Sequence, residues 1–135
     1  MSTKRDLVYV AGHRGLIGSA ITRRIDELGD RDWIGRTRAE LDLTERSAVF
    51  DFVGSARPDA IIIAAAKVGG IKANDTYPVE FLTENIQLQS NLLDAAHAAG
   101  VRKVLFLGSS CIYPEARAAA HPGIVHAYRS ARADE

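Results

Sequence analysis

Two stretches of this chain combine residue types at spacings that can do chemistry. Ser109-Ser110-Cys111-Ile112-Tyr113-Pro114 sets two hydroxyls beside the chain's single cysteine. A serine hydroxyl there can donate to a substrate carbonyl, and a cysteine two residues on serves as an acid/base when its surroundings depress its pKa. A lone cysteine is more often a small buried hydrophobe; its place after an apolar run and two serines favours the chemical reading. The second stretch is Gly12-His13-Arg14-Gly15-Leu16-Ile17-Gly18. Gly12 permits a tight turn, Gly15 lets backbone approach a pyrophosphate, and Gly18 allows close helix packing. A helix opening at this point offers unpaired N–H groups and a positive dipole end to phosphates.

The basic residues narrow the ligand. An adenine dinucleotide without a 2′-phosphate calls for Asp or Glu after the second strand, to accept from the ribose hydroxyl. This chain has Arg36-Thr37-Arg38 there, with Arg14 inside the glycine turn. Guanidinium groups suit a 2′-phosphate through bidentate pairing, so Arg14 and Arg36 point to NADP(H). Arg38 alone fits a solvated turn equally well. Asp42 is open between accepting from an adenine amino group and marking a helix entry. Ala64, Ala65 and Ala66 are small enough for a ribose and nicotinamide to lie against the backbone, and Lys67 is unexpected in a bare structural turn. Asn85 reads as a residue that bonds backbone rather than one that does chemistry.

The elements that must position these groups alternate between strand and helix. Leu7-Val8-Tyr9-Val10-Ala11 is an apolar run ending at Gly12, as in a strand buried on both faces. Residues 15–28 place Leu16, Ile17, Ala20, Ile21, Ile25 and Leu28 at helical spacing, with Gly29 where a helix stops. Trp33-Ile34 is a weak second strand, and residues 39–41 also look strand-like. Thr44-Glu45-Arg46-Ser47 can cap a helix carrying Val49, Phe50 and Val53, which Pro58 ends. Ala60-Ile61-Ile62-Ile63-Ala64 is the strongest strand. Residues 79–99 read as a long helix closed by Gly100, and Val104-Leu105-Phe106-Leu107 as a fourth strand. Such alternation predicts an α/β fold: a Rossmann-like, doubly wound parallel sheet, truncated after about the fourth strand. Ligands of such sheets sit at the carboxyl ends of strands, where the glycines, the serines and Cys111 fall.

Composition excludes other classes. Seventeen basic residues balance seventeen acidic ones, without the basic excess of a nucleic-acid binder. One cysteine cannot form an internal disulfide, which favours a reducing compartment. No apolar run approaches the ~18 residues of a membrane span, and the first six residues are too polar for a signal peptide. The expectation is a cytoplasmic protein without nucleic-acid or membrane partners and without a bound metal. Residues 1–114 form one unit, the N-terminal part of an NADP-binding domain. Residues 115–135 hold seven alanines and no leucine, so an atypical, disordered tail is expected. The abrupt break after Pro114 fits a change of reading frame.

GHRGLIGSA (residues 12–20), RTRAELDL (36–43), AAAKVGGIKANDTYP (64–78) and LGSSCIYP (107–114) together resemble the GDP-L-fucose synthase family. That family lies within the extended branch of the short-chain dehydrogenase/reductases, and the resemblance covers about residues 5–114. It implies NADPH-dependent 3,5-epimerisation and 4-keto reduction of GDP-4-keto-6-deoxy-D-mannose. The keto group acidifies the protons on C3 and C5, so one acid and one base epimerise both carbons before the ketone is reduced. By this resemblance Gly12, His13, Arg14, Gly15, Leu16, Ile17 and Gly18 bind the pyrophosphate. Arg14 and Arg36, with Arg38 nearby, take the 2′-phosphate. Asp42 and Leu43 neighbour the adenine, and Ala65 and Ala66 back the cofactor. Leu107, Gly108, Ser109 and Ser110 line the nicotinamide side. Ser109 positions the 4-keto group and Cys111 shuttles protons.

The same resemblance implies a Tyr-x-x-x-Lys pair, a catalytic histidine, a GDP-sugar-binding lobe and a homodimer formed through the long helix and the tyrosine-bearing one, an interface incomplete in this chain. No tyrosine of this chain has lysine four residues later: Tyr113 is followed by Arg117, and Tyr128 by Arg132. The expectation is half a site, on a truncated chain that is inactive alone. Another NAD(P)-dependent sugar epimerase or dehydratase, or a non-catalytic NADP-binding module, stands as the alternative. The latter has no need of Ser109 and Cys111.

Overall fold

The computed structural model describes residues 5–69 and 76–108. In chain order its elements are β1 (Leu7–Ala11), α1 (Leu16–Leu28), β2 (Asp32–Ile34), α2 (Arg46–Ala56), β3 (Ala60–Ile63), α3 (Pro78–Ala98) and β4 (Lys103–Phe106). The strands form one parallel sheet in the order β2-β1-β3-β4. The chain therefore runs outward from β1 to β2, then returns past β1 to build β3 and β4 on the other side. Strand order reverses between β1 and β3, which opens a crevice above their carboxyl ends.

Alternation along the strands divides the core into two layers. Tyr9 and Ala11 of β1 and Ile61 and Ile63 of β3 face α2 and α3, where they meet Val49, Val53, Leu92, Ala95 and Ala96. Val8 and Val10 face α1, packing with Ile25, Ile21 and Trp33. Helices on both faces make this a doubly wound, Rossmann-like α/β sheet, as the sequence pattern predicts. Tyr9, Ile61, Ile63 and Leu92 are fully buried, each worth about 1.5–3 kcal/mol relative to exposure.

Helix ends follow local chemistry. Gly29 adopts a left-handed φ of 61° and closes α1 through its N–H to Ile25. Arg57 takes the equivalent position after α2 at φ 46°, immediately before Pro58. Two expectations change. The helix carrying Val49 and Val53 begins at Arg46 with Glu45 at its N-cap and no side-chain cap, because the Thr44 hydroxyl is donated to Asp42 instead (2.8 Å). Residues 39–41 are not a strand: the N–H groups of Glu40 and Leu41 both reach the Thr37 carbonyl (3.0 and 2.9 Å), closing a tight turn that buries Leu41.

Candidate functional site

The crevice at the reversal point is a cleft of about 480 Å³. Its floor is the glycine turn after β1. The Gly15 N–H donates to the Gly12 carbonyl (2.9 Å), and α1 starts from an extended Gly15 without a side-chain cap or an acidic residue in its first turn. The first-turn N–H groups are thus left to an anion. Gly12 has a φ of +85°, and a Cβ there would stand 2.7 Å from the Ala65 nitrogen. Only glycine satisfies both conditions. A Cβ on Gly18 would lie closer than 3.0 Å to the Gly12 carbonyl and the His13 Cα. The turn and helix therefore pack backbone to backbone, leaving the space above them to a ligand.

Gly12, Gly15, Leu16, Ile17, Arg36, Arg38, Asp42, Leu43, Ala65 and Ala66 all line the cleft. His13, Arg14 and Gly18 do not: Gly18 lies under the turn, Arg14 is exposed, and His13 turns toward β2. Leu107 and Gly108 follow β4 and are not in the cleft wall. Ser109, Ser110, Cys111 and residues 115–135 lie outside the described residues.

Charge across the cleft is organised around Glu84 of α3. Arg38 lies 3.7 Å from Glu84 and 3.7 Å from Asp42, while Lys67 pairs with the other Glu84 oxygen. Lys67 also sits over the Phe81 ring at 5.3 Å. Arg36 is held differently. Its guanidinium lies over Phe52 (5.1 Å) and donates to the Gly35 carbonyl (3.0 Å), contacts that orient it without neutralising it. Thr37 donates its N–H and hydroxyl to Glu40, which holds that carboxyl below its usual pKa, with Arg36 and Arg14 adding to the effect. Asp42 is lowered chiefly by the N–H and hydroxyl of Thr44, then by Arg38. Those bonds give Asp42 the helix-entry role, while it still lines the cleft.

Asn85 bonds both backbone groups of Lys67, accepting from the N–H (2.8 Å) and donating to the carbonyl (3.0 Å). It works as expected, though between α3 and the loop after β3 rather than between strands. Glu84 was not foreseen from sequence, and Thr44 was foreseen only as part of a helix cap and not as a residue of the cleft. The signal for Glu84 was present: it falls on the inward stripe of α3 with Phe81, Leu88, Asn91 and Leu92, where a carboxylate needs a cationic partner.

The NAD dependent epimerase/dehydratase family matches residues 8–129. The chain is 53% identical over 115 residues to the GDP-L-fucose synthase of Escherichia coli, an alignment covering 85% of this chain and 35% of that protein. With GDP-L-fucose synthase 1 of Arabidopsis thaliana the identity is 52%, over 85% of this chain and 36% of the relative. Among solved structures, the GDP-mannoheptose C4 reductase of Campylobacter jejuni with NADP bound gives a TM-score of 0.78 at 30% identity, over 86% of this chain and 34% of its own. The chain spans about a third of the length of the curated relatives it matches. A parallel sheet with its crevice at the reversal point, a glycine turn that admits no Cβ at Gly12 or Gly18 and a match over most of the sequence lead to one conclusion: the chain belongs to the NAD dependent epimerase/dehydratase family.

Proposed function

We propose that this chain is the NADPH-holding part of a nucleotide-sugar epimerase/reductase of the GDP-L-fucose synthase type. The observation that carries the reading is the pairing of a Cβ-free cradle at Gly12 and Gly15 with Arg36 over the end of β2, where a carboxylate would select an unphosphorylated ribose. The cradle receives the pyrophosphate, Arg36 with Arg14 takes the 2′-phosphate, and Leu43 and Asp42 border the adenine. Ala65 and Ala66 back the ribose. Bound NADPH supplies the hydride for ketone reduction. Ser109 orients the sugar carbonyl, and Cys111 moves protons at C3 and C5. The substrate is a GDP-4-keto-6-deoxyhexose, and the setting is the cytoplasm.

Without a Tyr-x-x-x-Lys pair, these 135 residues bind cofactor but do not protonate the C4 oxygen. Fluorescence titration with NADPH and NADH tests the reading. The expected preference for NADPH is at least about tenfold, or 1.4 kcal/mol, and Arg36→Ala should abolish most of it. Equal affinity for both dinucleotides in the wild type would overturn the cofactor assignment. Incubation with GDP-4-keto-6-deoxymannose should give no NADPH consumption; robust consumption would refute the half-site.

A further inference from the structure

We infer that His13 is a positioning residue, whose imidazole ties the glycine turn to the end of β2 and so fixes the distance between the pyrophosphate cradle and Arg36. The inference rests on the cofactor reading above. It deepens that reading by naming what sets selectivity for a phosphorylated over an unphosphorylated ribose.

Alternation along β2 and its extension puts Trp33 and Gly35 toward one face of the sheet and Ile34 and Arg36 toward the other. Contacts agree: Trp33 packs in the layer with α1, while Ile34 packs with the opposite layer and Arg36 lies over Phe52 of α2. His13 enters from the α1 side. Its ring centroid is 5.9 Å from that of Trp33, with the planes 41° apart. A Cβ on Gly35 would fall closer than 3.0 Å to the Cγ, Nδ1 and Cδ2 atoms of His13. Gly35 is not among the residues with positive φ, so its backbone would accept any side chain. The ring is what requires glycine there. His13 Nδ1 is buried without a hydrogen-bond partner among the described residues, so shape holds the ring over Gly35.

From Gly35 the linkage continues to the cation. Its carbonyl accepts from Arg36 Nη1 at 3.0 Å, so the residue that seats His13 also orients the guanidinium on the opposite face. His13 lies between Gly12 and Gly15, whose backbone forms the cradle. Turn and arginine are therefore joined by a continuous path of three residues, His13, Gly35 and Arg36. A 2′-phosphate and a pyrophosphate on one dinucleotide are a fixed distance apart, and recognising both depends on that separation. A dinucleotide lacking the 2′-phosphate keeps the cradle, adenine and ribose contacts but presents nothing to Arg36, so it is far less sensitive to that separation.

The test is a double-mutant cycle on the 135-residue chain with His13→Ala, Gly35→Ala and the two combined. Each protein is titrated with NADPH and with NADH. Each single variant should lower the NADPH preference at least threefold, chiefly through weaker NADPH binding. The combined variant should lose no more than the worse single, because Gly35→Ala acts by evicting a ring that His13→Ala has already removed. A merely structural contact would weaken both dinucleotides alike and leave their ratio unmoved. If Gly35→Ala fails to fold, His13→Ala still decides the matter, since it opens space and takes away no backbone bond. A wild-type preference left intact in His13→Ala, or losses that multiply in the combined variant, would overturn this inference alone. Absence of any preference in the wild type would overturn the cofactor reading and this inference together.

Discussion

Gly18 shows how little freedom the glycine turn has. A methyl group there would press on the Gly12 carbonyl and the His13 Cα, and backbone cannot rotate away as a side-chain end can. Gly18→Ala should cost about 3 kcal/mol, the upper end for overpacking, read as a lower urea midpoint, with NADPH binding lost in parallel. Unchanged stability would mean that turn and helix are not in contact. The roles of Gly12 and Gly18 were readable from spacing alone, because a turn between a buried strand and a helix has few solutions. For Glu84 only the inward position was readable, since its partners Arg38 and Lys67 come from two other loops. Tyr9 offers a second check. Burial pushes its hydroxyl up to about 12, with nearby Arg36 opposing, whereas an unfolded tyrosine ionises near 10. A raised folded pKa means that the native state holds its proton while the unfolded state loses it. Stability is therefore fully present below pH ~10 and falls as pH rises toward 12, by about 2–3 kcal/mol at 1.36 kcal/mol per unit. Tyr9→Phe should remove that part of the alkaline loss, measured as the difference between the two proteins' urea curves at pH 9 and pH 12. Parallel curves at both pH values would contradict it.

Helix α3 is the element that joins the layers to the site, and two asparagines do much of the joining. Asn91 is buried and donates to the carbonyls of Leu43 (2.9 Å) and Thr44 (3.0 Å), fixing the loop that enters α2. Asn85, nearly two turns earlier, holds Lys67 by both backbone groups and donates to Phe81. Asn91→Leu keeps the γ-branching of the side chain but removes the donor from both carbonyls, at about 1–3 kcal/mol, with some overpacking from the larger side chain added. Asn85→Ala should cost a similar amount and also weaken NADPH binding, because Ala65 and Ala66 precede the clamped residue. A fall in stability without a change in affinity would show that the loop keeps its shape unaided. Helices and strands were recoverable from periodicity to within one or two residues; these clamps were not, because they join residues 18 and 48 apart in sequence. Residues 39–41 misled for a related reason. Leu41 is apolar because it is buried against Tyr9 and its neighbours, yet the turn that buries it is made by Thr37. An apolar residue reports burial, not extension.

Long-range contacts close the lower edge of the sheet, where Arg102 reaches both Asp6 and Asp59 at 3.0 Å and ties the approaches to β1, β3 and β4 together. The outer surface of α3 is different in character. Val79, Leu82, Ile86 and Leu93 are exposed, and their spacing of three, four and seven residues places them on one stripe. The inward stripe of the same helix is already occupied by Leu88, Leu92, Ala95 and Ala96 against the sheet, so rotation cannot bury the outer one. Leu82 and Ile86, at 63% and 52% exposure, have roughly half of their surface left to bury, about 1–2 kcal/mol each, and this favours self-association. We propose that copies of this chain associate through that stripe. Sedimentation velocity should then find the wild type as a dimer or larger, and Leu82→Glu with Ile86→Glu should shift it toward monomer. Because neither side chain supports the fold, the unfolding free energy from urea curves at low concentration should stay within about 0.5 kcal/mol of wild type. A wild type that sediments as a monomer at every concentration would sink the proposal. A variant still dimeric would move the interface elsewhere, with exposed Leu105 and Phe106 of β4 the next surface to charge.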